Sequence, residues 1–152
     1  MSDNQQPSNG LRLKTLLKET GFKSTRLDAS RRLVGFPGRT REWMFVANIY
    51  NDWLHIQTYV CEIPTAPGLR AELLDAAMVA NHTSSLTKLV KNSAALVLEL
   101  EYRAEHVDAQ VLSNLFSLIL ANAEEYYPRL FRIVSGDAVL ESLATAALPS
   151  IA

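Results

Sequence analysis

The stretch that decides the fold runs from residue 42 to residue 61 and reads EWMFVANIYNDWLHIQTYVC. Apolar and polar residues alternate along both halves of it, which is the period-two pattern of a half-buried β-strand. Asn51 and Asp52 separate the halves, and both residue types tolerate the left-handed backbone conformation that a tight hairpin turn requires. The stretch therefore predicts two antiparallel strands joined by a two-residue turn.

Pairing the strands across this turn sorts their side chains onto two faces. One face is almost entirely apolar, and we expect it to be core: Trp43, Phe45, Ala47, Ile49, Leu54, Ile56, Thr58 and Val60. The other, called the mixed face here, has aromatic, apolar and polar members: Met44, Val46, Asn48, Tyr50, Trp53, His55, Gln57, Tyr59 and Cys61. The mixed face is too polar for a core and unusually aromatic for a solvated surface. A three-residue turn would exchange the two faces.

The remaining segments extend the hairpin into one domain. The sequence LRLKTLLKETG predicts a first helix ending near Thr20, and RRLVGFPG predicts a strand before the hairpin. A second helix follows in LRAELLDAAMVANH, and a second hairpin turns around Asn92 and Ser93. The third helix begins after Asp108. We therefore predict an α+β fold of order α-β-β-β-α-β-β-α, with about five antiparallel strands and the helices packed on one face.

The third helix leads into ANAEEYYPRLF, residues 121–131. Because proline disfavours helical geometry in the residue before it, we expect the regular helix to stop or kink at Tyr127. Tyr126, Tyr127 and Arg129, the helix-end residues, should lie where the helix meets the edge of the core. The apolar stripe of this helix is wider than one sheet needs, which suggests a second partner surface. We expect Gly136 to break any continuation, before a weak fourth helix with Leu140, Leu143, Ala144 and Ala147 on its apolar face.

These expectations divide the 152 residues into a flexible N-terminal tail (1–9), a single α+β domain (10–134) and a C-terminal extension (135–152). The net charge of −1 and the lack of a basic stripe argue against a nucleic-acid partner. The arginines of RLDASRR, residues 26–32, favour a solvated strand or loop over phosphate contact. No apolar segment is long enough for a membrane span. We expect no secretory signal, because the N-terminus is polar, and the lone Cys61 fits a reducing, cytoplasmic setting.

No enzyme or cofactor motif is present in the sequence. His55, His82 and His106 do not have metal-ligand spacing, so we expect no metal and no cofactor. Glu99 and Glu101 alternate with leucines, which is typical of the solvent side of a strand. Cys61 and His55 are too far apart along an extended strand to form a catalytic pair.

Two long segments resemble one bacterial family. LLDAAMVANHTSSLTKLVKNSAALVLELEY (73–102), then VDAQVLSNLFSLILANAEEYYPRLF (107–131), resemble the YbjN-like family, and the hairpin WMFVANIYNDWLHIQTYV (43–60) fits as well. The resemblance covers about residues 11–132, and EYYPRL is its most specific part. It implies a fold similar to that of type III secretion chaperones, often dimeric, and a regulatory or chaperone-like role without catalytic residues.

Together these observations predict a non-enzymatic protein-interaction module that acts as a homodimer and binds an unidentified protein partner. The expected binding residues are Met44, Tyr50, Trp53, His55 and Tyr59 on the mixed face. Tyrosine and tryptophan are among the residue types enriched at interface hot spots. An equally weighted alternative is that the C-terminal extension covers this face. A less favoured alternative is a small-molecule-binding or enzymatic pocket around His55, Asn48 and Tyr59.

Overall fold

The computed structural model describes residues 5–151, with side chains described over residues 9–135. The helices are α1 (Gln5–Thr20), α2 (Pro67–Thr83) and α3 (Ala109–Ile151), and a short 3-10 helix spans Ala104–His106. The strands are β1 (Ser24–Arg26), β2 (Arg31–Pro37), β3 (Glu42–Tyr50), β4 (Trp53–Glu62), β5 (Thr87–Asn92) and β6 (Ala95–Arg103).

All six strands form one antiparallel sheet in the order β1-β2-β3-β4-β6-β5. The predicted α+β class and the antiparallel sheet are confirmed, and the additional strand is the three-residue β1. Helix α2 joins β4 to β5, and β6 then returns between them. All three helices pack on the same face of the sheet, where the buried residues of β3 and β4 lie.

The predicted hairpin register is confirmed. Tyr50 pairs with Trp53, Asn48 with His55 and Val46 with Gln57. Asn51 and Asp52 both have positive φ angles, 49° and 65°, as the two-residue turn requires. The face expected to be core is buried throughout.

Cys61 is the exception to the predicted alternation. The register of β4 against β6 shifts between Tyr59 and Cys61, leaving Val60 as the extra residue of a β-bulge. A bulge reverses the alternation of side chains beyond it. Cys61 is consequently buried in the core, and its expected place on the mixed face was wrong.

Helix α3 is longer and less interrupted than expected. It continues through Pro128 and Gly136 to Ile151, so both expected breaks were wrong. Proline removes one intrahelical hydrogen bond, but beyond it Leu130 is buried and Ile133 and Val134 pack against the core. We infer that this packing outweighs the lost bond. The side chains of the expected fourth-helix face lie outside the described residues.

The wide apolar stripe of α3 is occupied within the chain. Helix α3 contacts α1 and α2 as well as the sheet. Val111, Leu118 and Leu120, the apolar positions beside the main stripe, are half-buried against the core. The second surface suggested by the sequence is therefore provided, at least in part, by these two helices. The other boundary difference is that α1 begins at Gln5, within the segment expected to be a tail.

One carboxylate joins α3 to the loop before β3. The indole N–H of Trp43 donates to Glu124 Oε1 at 2.8 Å, and the backbone N–H of Thr40 donates to Oε2 at 3.0 Å. A Cβ on Gly38 would overlap a Glu124 oxygen, so this close approach requires glycine. Burial by itself would raise the pKa of Glu124, but the hydrogen bonds from Trp43 and Thr40 outweigh it and lower the pKa below its usual 4.5.

We expect Glu124→Gln to reduce the free energy of unfolding by about 1–2 kcal/mol at pH 7, because a charge-assisted pair of hydrogen bonds is weakened. A lowered carboxyl pKa contributes stability above the unfolded-state pKa and loses it as pH falls through the folded-state pKa. The difference in free energy of unfolding between wild type and Glu124→Gln should therefore be largest above about pH 4.5 and decrease at lower pH. Urea denaturation at several pH values measures it. Glu125→Gln is the matched control, because Glu125 is exposed; an equal effect of both changes would contradict the assignment.

The turn between β5 and β6 contains a residue whose substitution by glycine should stabilise the protein. Asn92 pairs with Ala95, so the turn residues are Ser93 and Ala94, one position later than expected, and only Ser93 has a positive φ (56°). Glycine is favoured at the first position of such a turn. Ser93→Gly should raise the free energy of unfolding by about 0.5 kcal/mol, whereas Ala94→Gly should lower it by a similar amount. Denaturation midpoints at unchanged m values measure both, and destabilisation by Ser93→Gly would contradict the turn assignment.

Candidate partner-binding surface

The mixed face lies on the side of the sheet opposite the helices. Met44 is 48% exposed, Tyr50 50%, Trp53 36% and Tyr59 46%. His55 is half-buried among them. The structure thus brings all five predicted binding residues onto one accessible surface.

The mixed face and its neighbouring strands divide into two parts. The first, called the apolar strip here, consists of Leu33, Met44, Val46, Tyr59, Val90 and Val97. Most of it lines an open depression of about 300 Å³. Thr58 also borders this depression, but its side chain is buried on the helix side of the sheet, where its hydroxyl donates to the carbonyl of Met44 at 2.8 Å. The apolar strip can contact apolar side chains of a partner, but its residues do not form a catalytic group.

The second part is polar and centres on His55. His55 Nδ1 lies 3.4 Å from Glu101 Oε1. Burial, then the neighbouring Glu101 carboxylate, raises the pKa of Glu99. The depression here, about 220 Å³, is smaller than the roughly 300–1,000 Å³ of typical small-molecule sites. This geometry does not favour the pocket alternative.

Metal and thiol chemistry find no support in the described part of the chain. Among those residues, no group of three or more His, Cys, Asp or Glu side chains is placed to hold a metal ion. Burial raises the pKa of the Cys61 thiol to about 11, so the thiolate needed for nucleophilic attack is scarce at neutral pH. Within the same described residues, no helix is both long and apolar enough to cross a bilayer.

Two of the helix-end residues make contacts within the chain. The Tyr127 ring meets Trp43 edge-on, with centroids 5.4 Å apart, and Tyr126 also packs against the core. Arg129 is exposed. Arg41, which was not among the predicted site residues, contacts this region as well.

Arg41 links the helix end to the mixed face. Its guanidinium lies 4.3 Å from the Trp43 ring centroid, 5.1 Å from that of Tyr127 and 5.9 Å from that of Tyr59. It also donates to the carbonyls of Val60 (3.1 Å) and Tyr59 (3.3 Å). The bulged end of β4 provides these acceptors. A cation among three aromatic rings leaves no pattern in the linear sequence, because the rings come from three elements.

Comparisons with known proteins show the fold. The sequence matches no protein-family profile and no curated protein. Among solved structures, YbjN from E. coli is similar at a TM-score of 0.58 and 11% identity, covering 76% of this chain and 85% of that one. SchA–HopA1, a chaperone–effector complex, is similar at 0.56 and 12%, covering 78% and 95%.

ExoU–SpcU, a heterodimeric complex from the type III secretion system of Pseudomonas aeruginosa, is similar at a TM-score of 0.52 and 20% identity, covering 78% of this chain and 94% of that one. At such identities the similarity establishes architecture only. The chain thus has a YbjN-like fold, shared with type III secretion chaperones, as the resemblance implied.

Proposed function

We propose that this chain is a non-enzymatic protein-interaction module, chaperone-like or regulatory, that acts as a cytoplasmic homodimer. The observation that supports it best is the set of four large side chains exposed together on the mixed face: Met44, Tyr50, Trp53 and Tyr59. Large exposed apolar groups gathered on one surface are typical of interaction sites. Tyrosine and tryptophan are also enriched among the residues that contribute most to binding.

The sheet holds these side chains in place before any partner arrives. Tyr50 and Trp53 pair directly across the hairpin, and Arg103 on β6 lies 5.2 Å from the Trp53 ring centroid. Side chains held this way lose less conformational entropy on binding. The apolar strip beside them offers a depression for a partner's apolar side chains, and His55 and Glu101 offer polar contacts at its border.

The structural neighbours give this proposal its second support. Two of them, SchA–HopA1 and ExoU–SpcU, are a chaperone–effector complex and a heterodimeric secretion complex, so proteins of this architecture do bind protein partners. The helix-end residues have a supporting part in the proposal. Tyr126 and Tyr127 hold α3 beside the hairpin, and Arg129 adds an exposed cation at that border.

We expect wild-type protein to be a dimer and Trp53→Arg to be a folded monomer, because a charge would replace an aromatic ring of the proposed interface. Light scattering measures the absolute mass, and circular dichroism with thermal unfolding checks the fold. Met78→Arg is the matched control, since Met78 is 69% exposed on α2, away from the mixed face, and this variant should stay dimeric.

Each other outcome has a distinct meaning. A monomeric wild type would overturn the homodimer. Dimers in all three proteins would place self-association elsewhere and leave the mixed face for a different protein. If, in addition, Trp53→Arg bound an identified partner as tightly as wild type, the mixed face would be excluded as the binding surface.

A further inference from the structure

A second surface, on the opposite border of the sheet from β5, gathers positive charge. Arg26 on β1 and Arg32 on β2 are directly opposed partners in the sheet. Together with Lys14 of α1 they line an open depression of about 210 Å³, the basic depression, whose other lining residues are Gly10, Leu11, Asp28, Ala29 and Ser30. Three elements thus bring three cations to one place.

The arrangement is unfavourable as it stands. Like charges directly opposite each other on neighbouring strands destabilise a sheet. None of these three cations forms a salt bridge with any side chain that the structure describes. The chain as a whole has a net charge of −1, so the cluster does not follow from a generally basic composition.

The one acid in the basic depression is already committed to other groups. Asp28 Oδ2 lies 2.6 Å from Arg31 Nε. Asp28 Oδ1 accepts from the backbone N–H groups of Ser30 (3.0 Å) and Arg31 (2.8 Å). These bonds, the one from the Arg31 side chain first, lower the pKa of Asp28 to about 2. The carboxylate therefore pairs with Arg31 and shapes the turn between β1 and β2, and it forms no salt bridge with Arg26, Arg32 or Lys14.

Each of the two arginines makes one hydrogen bond, through its Nε atom. Arg26 Nε donates to the carbonyl of Asp28 at 3.2 Å, and Arg32 Nε donates to Ser24 Oγ at 2.9 Å. Their terminal Nη groups make no hydrogen bond within the described part of the chain. Each guanidinium is thereby oriented while its outer donors stay available to an anion.

We propose that the basic depression binds a phosphate monoester group. Paired arginines suit the oxygens of phosphate, a lysine adds a compact third charge, and a monoester offers three strong acceptor oxygens where a carboxylate offers two. The volume is too small for a typical cofactor, so it suits one anionic group, free or attached to a peptide. Binding would neutralise the repulsion between Arg26 and Arg32. This proposal is independent of the mixed face and of any dimer.

The test is an NMR titration of backbone amides with inorganic phosphate and with a phosphoserine peptide, at pH 7.5 and low ionic strength. We expect saturable shifts confined to residues 24–32 and the neighbouring turn of α1. Arg26→Gln, Arg32→Gln and Lys14→Gln should each weaken binding about fivefold, because each removes one charged contact. Lys91→Gln on β5 is the matched control for total charge and should bind as wild type does.

A second readout separates binding from folding. Without phosphate, Arg26→Gln should be at least as thermally stable as wild type, because a like-charge pair is removed, and added phosphate should raise the Tm of wild type more than that of the variant. A variant that failed to fold would show that the pair is structural and overturn the proposal.

The ligand series decides what the basic depression recognises. Tighter binding of the phosphoserine peptide than of inorganic phosphate would indicate that the natural ligand is a phosphate group on a protein. Tighter binding of inorganic phosphate would indicate a free phosphate compound. Unsaturable shifts, equal weakening by Lys91→Gln, or equal binding of acetate would each overturn the proposal. Tighter binding of a single-stranded oligonucleotide than of either phosphate probe would replace it with a nucleic-acid interface.

Discussion

The register of the β3–β4 hairpin is the constraint on which the rest of the structure depends. Asn51 and Asp52 close the turn with positive φ angles, and this choice sends Trp43, Phe45 and Ile56 to the helix side. A slip of one residue would exchange the faces of the shifted strand and bury polar groups without partners. All three helices pack on the face where this register places the apolar side chains of β3 and β4. The turn at Asn51 and Asp52 therefore decides which face of the sheet the helices cover.

Two local features at one end of the sheet, a β-bulge and a buried carboxylate, complete the packing around the hairpin. The bulge at Val60 turns Cys61 into the core and leaves the Tyr59 and Val60 carbonyls in reach of Arg41. At the same end of the sheet, Glu124 joins α3 to Trp43 and to the loop that Gly38 keeps narrow. Both devices satisfy polar groups that a regular hairpin under a helix would leave without partners.

The two proposed binding surfaces arise from different physical situations. The mixed face is open because every helix packs on the opposite side of the sheet, so its aromatic side chains remain partly exposed. The basic depression arises at a border, where a three-residue strand and α1 bring Arg26, Arg32 and Lys14 together. One surface has apolar area without cover, and the other has charge without compensation. Exposed apolar area and uncompensated charge both depart from what a stable fold favours, and such departures are characteristic of functional sites.

The sequence by itself determined the fold class, the hairpin register and the composition of the mixed face, because period-two alternation is local and one turn fixes its parity. It did not determine the bulge that buries Cys61, the continuation of α3 past Pro128, or the partners of Glu124. It showed the arginines of residues 26–32 but could not pair Arg26 with Arg32 beside Lys14. Only the tertiary structure decided these, because each depends on contacts between segments distant in the chain. Local propensity contains no information about such contacts, and packing and electrostatics outweigh it where they disagree.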